Sequence, residues 1–266
     1  MNNPQLPEAF QSVINFGALK GYFPLRKASR WGNLVFLFLL WGGAVAAVLY
    51  GVYQAYRWQS YGPVMIEDRL RAPLILAFIL FVVGLLVVWV LYVNWKKAAA
   101  VYEHGLAYAS RKGLEMWRWE EVAQLFAAIT RHYTNGIYTG TTHVYTLIDP
   151  QNRRLVLNDS LTHVEELGKT IEAQTFPLLY ASVSAQYNSG TAVPFGPVTI
   201  SKSGIQFKNK VYPWTDVKEV SIRRGILQVS KKDGGWFSGA SAAVAGIPNL
   251  RVLLSIIDQV VGIKTA

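Results

Sequence analysis

Two long stretches without a charged side chain constrain this 266-residue chain more than any other feature. Residues 34–56 (LVFLFLLWGGAVAAVLYGVYQAY) and 72–93 (APLILAFILFVVGLLVVWVLYV) contain no Lys, Arg, Asp, Glu or His. As helices at 1.5 Å per residue each reaches about 33–35 Å, enough to cross a hydrocarbon core of about 30 Å. A single central Arg or Asp would cost roughly 2.5–3.5 kcal/mol on insertion, so the absence of charge fits true spanning. Trp31, Tyr53, Tyr56 and Trp58 flank the first run, and Trp89, Tyr92 and Trp95 the second. Such rings, apolar with a polar tip, favour the headgroup level. Two buried core helices of a soluble protein are the competing reading, and these aromatic ends disfavour it. The remaining composition agrees: charged residues are 16% of the chain, against about 25% in a typical soluble domain. The absence of cysteine excludes disulfide scaffolds, thiol nucleophiles, Fe–S clusters and Cys-ligated zinc.

Within the runs, Gly42, Gly43, Ala44, Ala46 and Ala47 form a small-residue surface on the first helix and Gly84 a local one on the second, with Gly42, Gly43, Ala46, Ala47 and Gly84 singled out. Small residues let helices approach closely in lipid, so these five are candidate packing positions against the other helix or a partner subunit. Gly and Ala are also simply common in membrane helices. The segment between the runs carries Arg57, Arg69 and Arg71, whereas the outer flanks carry Lys20, Arg26, Lys27, Arg30, Lys96, Lys97, Arg111 and Lys112. The excess of basic residues on the outer flanks places both termini in the cytoplasm and makes the protein a multi-pass protein of the cell (inner) membrane. The polar lead before the first run is too long for a cleavable signal peptide. Within residues 1–30, Leu6, Phe10, Val13, Ile14 and Phe16 follow Pro7 at loose helical spacing, as in a short interfacial helix or a plain tail.

After Lys97 the pattern changes to short β-favouring segments between turn signals. Strands are expected over residues 101–109, 114–119, 122–132, 142–148 and 153–157. Asp159 and Ser160 are N-cap candidates for a helix from about Leu161, which Pro177 should kink or stop. The order then restarts, with strands over 198–201, 205–208, 211–214, 217–223 and 226–230. A helix closes the chain from about Pro248 to Val261. The halves align by residue type: Tyr102-Glu-His-Gly-Leu106 with Ser201-Lys-Ser-Gly-Ile205, and Trp119-Glu-Glu-Val122 with Trp214-Thr-Asp-Val217. Gly105 and Gly204 are expected in tight turns with positive φ. The reading is a duplicated β-meander with a C-terminal helix in each copy.

These elements resemble the pleckstrin-homology-like (PH-like) fold of bacterial membrane proteins: bent strands, a Trp-acidic-Val corner and one closing helix. The second half is most similar to an uncharacterised family of membrane-anchored PH-like proteins. The matching stretches are FGPVTISKSGI (195–205), YPWTDV (212–217) and IPNLRVL (247–253). The resemblance covers about residues 98–266 and implies a fold and membrane association, with no activity, cofactor or fixed ligand. The overall class is α+β: a two-helix transmembrane hairpin followed by two tandem PH-like domains. The expected divisions are 1–30, 31–97, 98–188 and 189–266.

No chemistry-bearing constellation stands out. Gly168-Lys169-Thr170 imitates the end of a phosphate-binding loop, but His163 occupies the position of its leading Gly. The Gly-rich run with Gly234, Gly235, Gly239 and Gly246 lacks a following Lys-Ser or Lys-Thr and reads as a flexible or bulged strand pair. His132 and His143 could face each other across a hairpin around Asn135-Gly136, though ordinary strand residues are the better reading. Glu120-Glu121 and Glu165-Glu166 are sequence neighbours and poor acid/base dyads. An enzyme is therefore not expected, nor a cofactor or metal.

The remaining signal is charge. The net charge is +10, and residues 190–266 carry ten Lys or Arg against four acids. Near an anionic leaflet each such cation gains about 1 kcal/mol. Lys202, Lys208, Lys210, Arg223 and Arg224 are the candidate lipid-headgroup ligands, against a plain solvated rim. No recognition helix points to nucleic acid. Two functions follow: an accessory or structural subunit of a larger membrane protein complex, or a membrane-anchored module reading anionic lipid.

Overall fold

The computed structural model describes residues 7, 10, 13–94, 97–232 and 239–264. It is α+β, with two long apolar helices near the N-terminal end followed by several antiparallel sheets. The chain divides into two compact units. One comprises residues 24–98 with 109–113, the other residues 1–23, 99–108 and 114–266.

The first unit is a helical hairpin. Helix α1 runs Lys27–Arg57 and helix α2 Pro63–Asn94, with a 3-10 turn at Gln59–Tyr61 between them. The segment 57–71, expected as a connecting loop, is therefore mostly the first turns of α2. Both helices are long and apolar enough to cross a membrane, and only 17% and 11% of their most apolar windows are buried. A core helix of a soluble protein would be covered on most sides. Gly43 and Gly51 lie against α2, with a built Cβ 3.4 Å from Leu80 and 3.0 Å from Pro73 respectively. At Gly84 a Cβ would run into the Trp41 indole, which stacks on Phe81 at 6.1 Å. The contact face on α1 thus includes Gly43 and Gly51, with Ala44 buried beside Gly43. Gly42 faces open space and Ala46 is exposed, so these two sit outside the hairpin contact.

The second unit opens before the hairpin. Strand β1 (Leu19–Pro24) pairs at the edge of a four-stranded sheet, in the order β1-β2-β3-β4. The others are β2 (Ala98–Tyr102), β3 (Gly105–Ser110) and β4 (Gly113–Arg118). The hairpin is therefore inserted between the first and second strands of one sheet. β1 falls inside the 1–30 segment that the sequence sets apart. Of the apolar residues there, Phe10, Val13, Phe16 and Phe23 are buried, and the Tyr102 hydroxyl donates to the Phe10 carbonyl; Leu6 lies outside the described residues. A three-stranded antiparallel sheet follows, β5 (Gln124–Thr134), β6 (Ile137–Ile148) and β7 (Arg154–Asn158), and then helix α3 (Val164–Asn188).

The second half repeats this order. Strands β8 (Val193–Phe195), β9 (Val198–Ser201), β10 (Gly204–Phe207) and β11 (Lys210–Pro213) form a four-stranded meander. Strands β12 (Val217–Arg223), β13 (Ile226–Lys231) and β14 (Ala240–Ala243) form the second sheet, and helix α4 (Leu250–Val261) follows. Residues Ile263–Lys264 (β15) add to β12 in parallel. The correspondence extends to single bonds. The backbone N–H of Trp119 donates to His104 O at 3.4 Å and that of Trp214 to Ser203 O at 3.3 Å. Both indoles donate to a carbonyl at the head of the same corner, Glu103 at 3.1 Å and Ser201 at 2.9 Å. Both helices start from a left-handed residue, His163 or Asn249, with φ 50° in each. Leu161, Leu167 and Ile171 of the first copy correspond to Ile247, Leu253 and Ile257 of the second, all buried.

Several expectations change. Gly105 and Gly204 do not take positive φ. They are needed because a Cβ would run into the carbonyl oxygen of Trp117 or Tyr212, where the strands cross most closely. The single strand expected over 101–109 is two strands broken at Glu103-His104. Helix α3 starts at Val164, not Leu161, because Asp159 turns to accept from the His143 backbone N–H at 2.7 Å. The same helix runs through Pro177 without stopping. Its 25 residues serve two cores: Val164, Leu167 and Ile171 in the first, Val183 and Tyr187 in the second. Pro248 precedes the capping residue Asn249 rather than opening α4.

Candidate functional site

Because α3 is shared between both cores, it leaves a cleft where the two repeats meet. The join is made by Asn249. Its backbone N–H donates to Leu125 O at 2.8 Å, its Oδ1 accepts from Leu125 N–H at 2.8 Å, and its Nδ2 donates to Ala123 O at 2.9 Å. One asparagine thus satisfies the edge of β5 as a neighbouring strand would. Its side chain is free to do so because it makes no cap bond to its own helix.

Beside this clamp lies a cavity of about 400 Å³. Leu125 and Ala127 of β5, Phe176 and Leu179 of α3, and Leu250 and Val252 of α4 form its apolar walls. Glu165, Lys169, Glu172 and Arg251 stand at it as the charged groups. Lys169 Nζ is 2.6 Å from Glu165 Oε1, which holds the Glu165 carboxyl below and the lysine above its ordinary range. The Arg251 guanidinium lies 4.6 Å over Phe176. Such walls can receive an apolar group. Of the charged groups here, Glu165 and Lys169 are engaged with each other, and Glu172 and Arg251 complete the polar part of the lining.

The glycine of Gly168-Lys169-Thr170 also lines this cleft. It sits within α3, where a Cβ would collide with the Tyr145 ring, so it is a packing glycine and not part of a phosphate loop. Burial pushes the Tyr145 hydroxyl up, and Glu165, Glu172 and Asp159 add to the rise. A second, more open concavity of about 740 Å³ lies beside Asp149 and Arg118. Three of its charged residues are engaged with one another: Arg153 bonds Asp149 at 2.9 Å and reaches Glu121 at 3.5 Å.

The five basic candidates fall in separate places. Lys202, in the β9–β10 turn, bonds Asn188 at 3.1 Å and lies 4.6 Å over Tyr187. Lys208 and Lys210 flank the β10–β11 turn, at the other end of β10. Arg223 and Arg224 lie at the β12–β13 turn. Lys231, from β13 and part of the same basic stretch as Arg223 and Arg224, lies 5.6 Å from the Tyr212 ring that Lys210 covers at 5.5 Å. His132 and His143 are not partners, since His132 pairs with Gly140 and Ile129 with His143. His143 instead meets Asp159 at 3.3 Å and Glu165 at 3.8 Å. No metal-holding cluster occurs among the described residues. Trp95, Lys96, Gly234 and Gly235 lie outside them.

The hairpin around Asn135-Gly136 is present, but its second strand starts at Ile137 and not at Thr142. β5 and β6 run 11 and 12 residues, whereas their counterparts β12 and β13 run 7 and 6. β7 pairs only with residues 144–148 of β6, so the distal part of the β5–β6 pair projects as a two-stranded ribbon.

The chain belongs to a family of unknown function (DUF6585), whose model matches residues 26–264. No curated protein matches it.

Proposed function

We propose that this protein is a non-catalytic, multi-pass protein of the cell (inner) membrane, with both termini cytoplasmic. Its tandem PH-like body serves as an accessory subunit of a larger membrane protein complex. The observation that carries this reading is the insertion of the apolar hairpin between β1 and β2. Two residues separate β1 from α1 and three separate α2 from β2. At no more than about 3.6 Å per residue, such connectors cannot let the body leave the surface. Whatever it binds, it binds at the bilayer. The four-plus-three strand order with a closing helix, twice over, supports the PH-like assignment. The Gly42 and Ala46 face, left open by the hairpin's own contact, is where a partner helix would approach.

The test is native-size analysis after mild-detergent extraction, with mass spectrometry of what co-migrates. A membrane protein in fixed stoichiometry is the expected result. A lone monomer or homo-oligomer would contradict the subunit reading.

The second reading, recognition of anionic lipid, is favoured by Lys210 and Lys231. They converge on Tyr212, and neither forms an ion pair with a described carboxylate. It predicts that Lys210→Glu with Lys231→Glu lowers the anionic lipid retained by the full chain in lipid nanodiscs. The full chain is required, because a fragment from residue 98 would lack β1.

A further inference from the structure

The β5–β6 ribbon extends four to six residues per strand beyond its counterpart β12–β13. At about 3.4 Å per residue, that is an extra reach of about 14–20 Å. The second repeat closes its sheet without this length, so the fold does not require it. A bare two-stranded ribbon is marginal in water. This one nonetheless carries large apolar side chains outward: Ile129 is 56% exposed, Tyr133 60%, Ile137 71% and Tyr138 56%.

The chemistry of the ribbon is one-sided. Residues 124–148 contain no Asp or Glu, and Arg131 stands in the exposed part with no ion pair to a described carboxylate. Asn135 and Gly136 turn the chain with φ 51° and 81°, a tight turn that brings both strands to a compact tip. There Tyr133 and Tyr138 meet edge to face at 5.9 Å. Paired tyrosines, two isoleucines, an arginine and no acid match the interface of an anionic leaflet. Its carbonyl level accepts amphipathic rings, and its phosphates repel carboxylates. A protein groove of ordinary composition would not require the acid-free strands.

We propose that the tip of this ribbon, around Tyr133, Ile137 and Tyr138, dips into the anionic membrane interface. It thereby makes a second, reversible contact between the body and the bilayer. The proposal rests on the hairpin reading, because the hairpin is what keeps the body beside a membrane.

The absence of native cysteine allows a direct test. Single cysteines at Ile137, at Val45 on the hairpin and at Gln151 in the β6–β7 turn are each labelled with a polarity-sensitive fluorophore. The full chain is then reconstituted in phosphatidylcholine–phosphatidylglycerol vesicles containing spin-labelled lipid. The Ile137 label is expected to be blue-shifted and quenched several-fold more strongly than the Gln151 label. Adding Tyr133→Asp is expected to remove that difference while leaving quenching at Val45 intact. An Ile137 label that behaves like Gln151 while Val45 is quenched would overturn the ribbon proposal and leave the hairpin reading standing. A Val45 label without quenching would overturn the hairpin reading itself. A water-like Ile137 label in pure lipid that becomes apolar only in native membranes would assign the tip to a protein partner and likewise overturn the proposal.

Discussion

Replacing Asn249 should separate the two repeats more than any other single change at their junction. Asn249→Ala removes two side-chain hydrogen bonds, to the Leu125 N–H at 2.8 Å and the Ala123 carbonyl at 2.9 Å. Each is worth about 0.5–1.5 kcal/mol. The residue is also left-handed, with φ 50° and ψ 40°. Asparagine tolerates this conformation, whereas alanine is disfavoured in it by roughly 1–2 kcal/mol. The expected loss is therefore about 2–5 kcal/mol, a fall in Tm of roughly 4–20 °C at about 2–4 °C per kcal/mol. Asn249→Gly loses the same two bonds without the conformational penalty, so it should fall between wild type and Asn249→Ala. Thermal unfolding of the full chain in detergent reads the total. Hydrogen exchange over residues 123–129 reads the β5 edge alone, and should accelerate in both variants. If Asn249→Ala and Asn249→Gly both melt with wild type and exchange there is unchanged, the asparagine clamp does not join the repeats.

Gly105→Ala and Gly204→Ala should each destabilise strongly, since the Cβ meets a backbone carbonyl that cannot rotate away. Thermal melts comparing them with Gly113→Ala, which meets only open space but has φ 122°, separate close approach from backbone strain. Within the hairpin, Gly84→Leu should disturb the packing of α1 on α2 by displacing Trp41. Gly42→Leu should leave it intact, and cysteine cross-linking between the helices reports both. Alkaline titration followed by tyrosinate absorbance should show a late group. Tyr102, Tyr108, Tyr145 and Tyr187 are all raised from 10.0, mainly by burial. The unfolded chain then releases protons before the folded one, so their contribution holds below pH 10 and is lost as pH rises through the raised values.

What the sequence made legible follows from the range of each interaction. The apolar runs, the β-meander segments of the second half and the apolar face of α4 rest on local periodicity. Each appears close to its expected place. β1 stayed hidden because LKGYFP is short and ends in Pro, and its partner β2 lies beyond the whole hairpin. β8 escaped for a related reason: VPF is three residues long and contains a proline. The matched glycines 105 and 204 were correctly singled out. Their cause is an approach between backbones, which no residue pattern displays. Pro177 was read by its local cost, but α3 is held on both sides of it by two separate cores. The candidate surfaces were the least legible. Proximity along the chain groups Lys231 with Arg223 and Arg224, whereas cross-strand packing brings it to Tyr212 beside Lys210.

The central claim is that α1 and α2 cross a bilayer and leave the body on one side. Single cysteines at Ser60, in the turn between the helices, and at Gln151, in the body, test it most directly with a membrane-impermeant maleimide on intact cells. The account predicts that Ser60→Cys reacts from outside, and that Gln151→Cys reacts only after the membrane is opened. Equal protection or equal labelling of the two positions would contradict it.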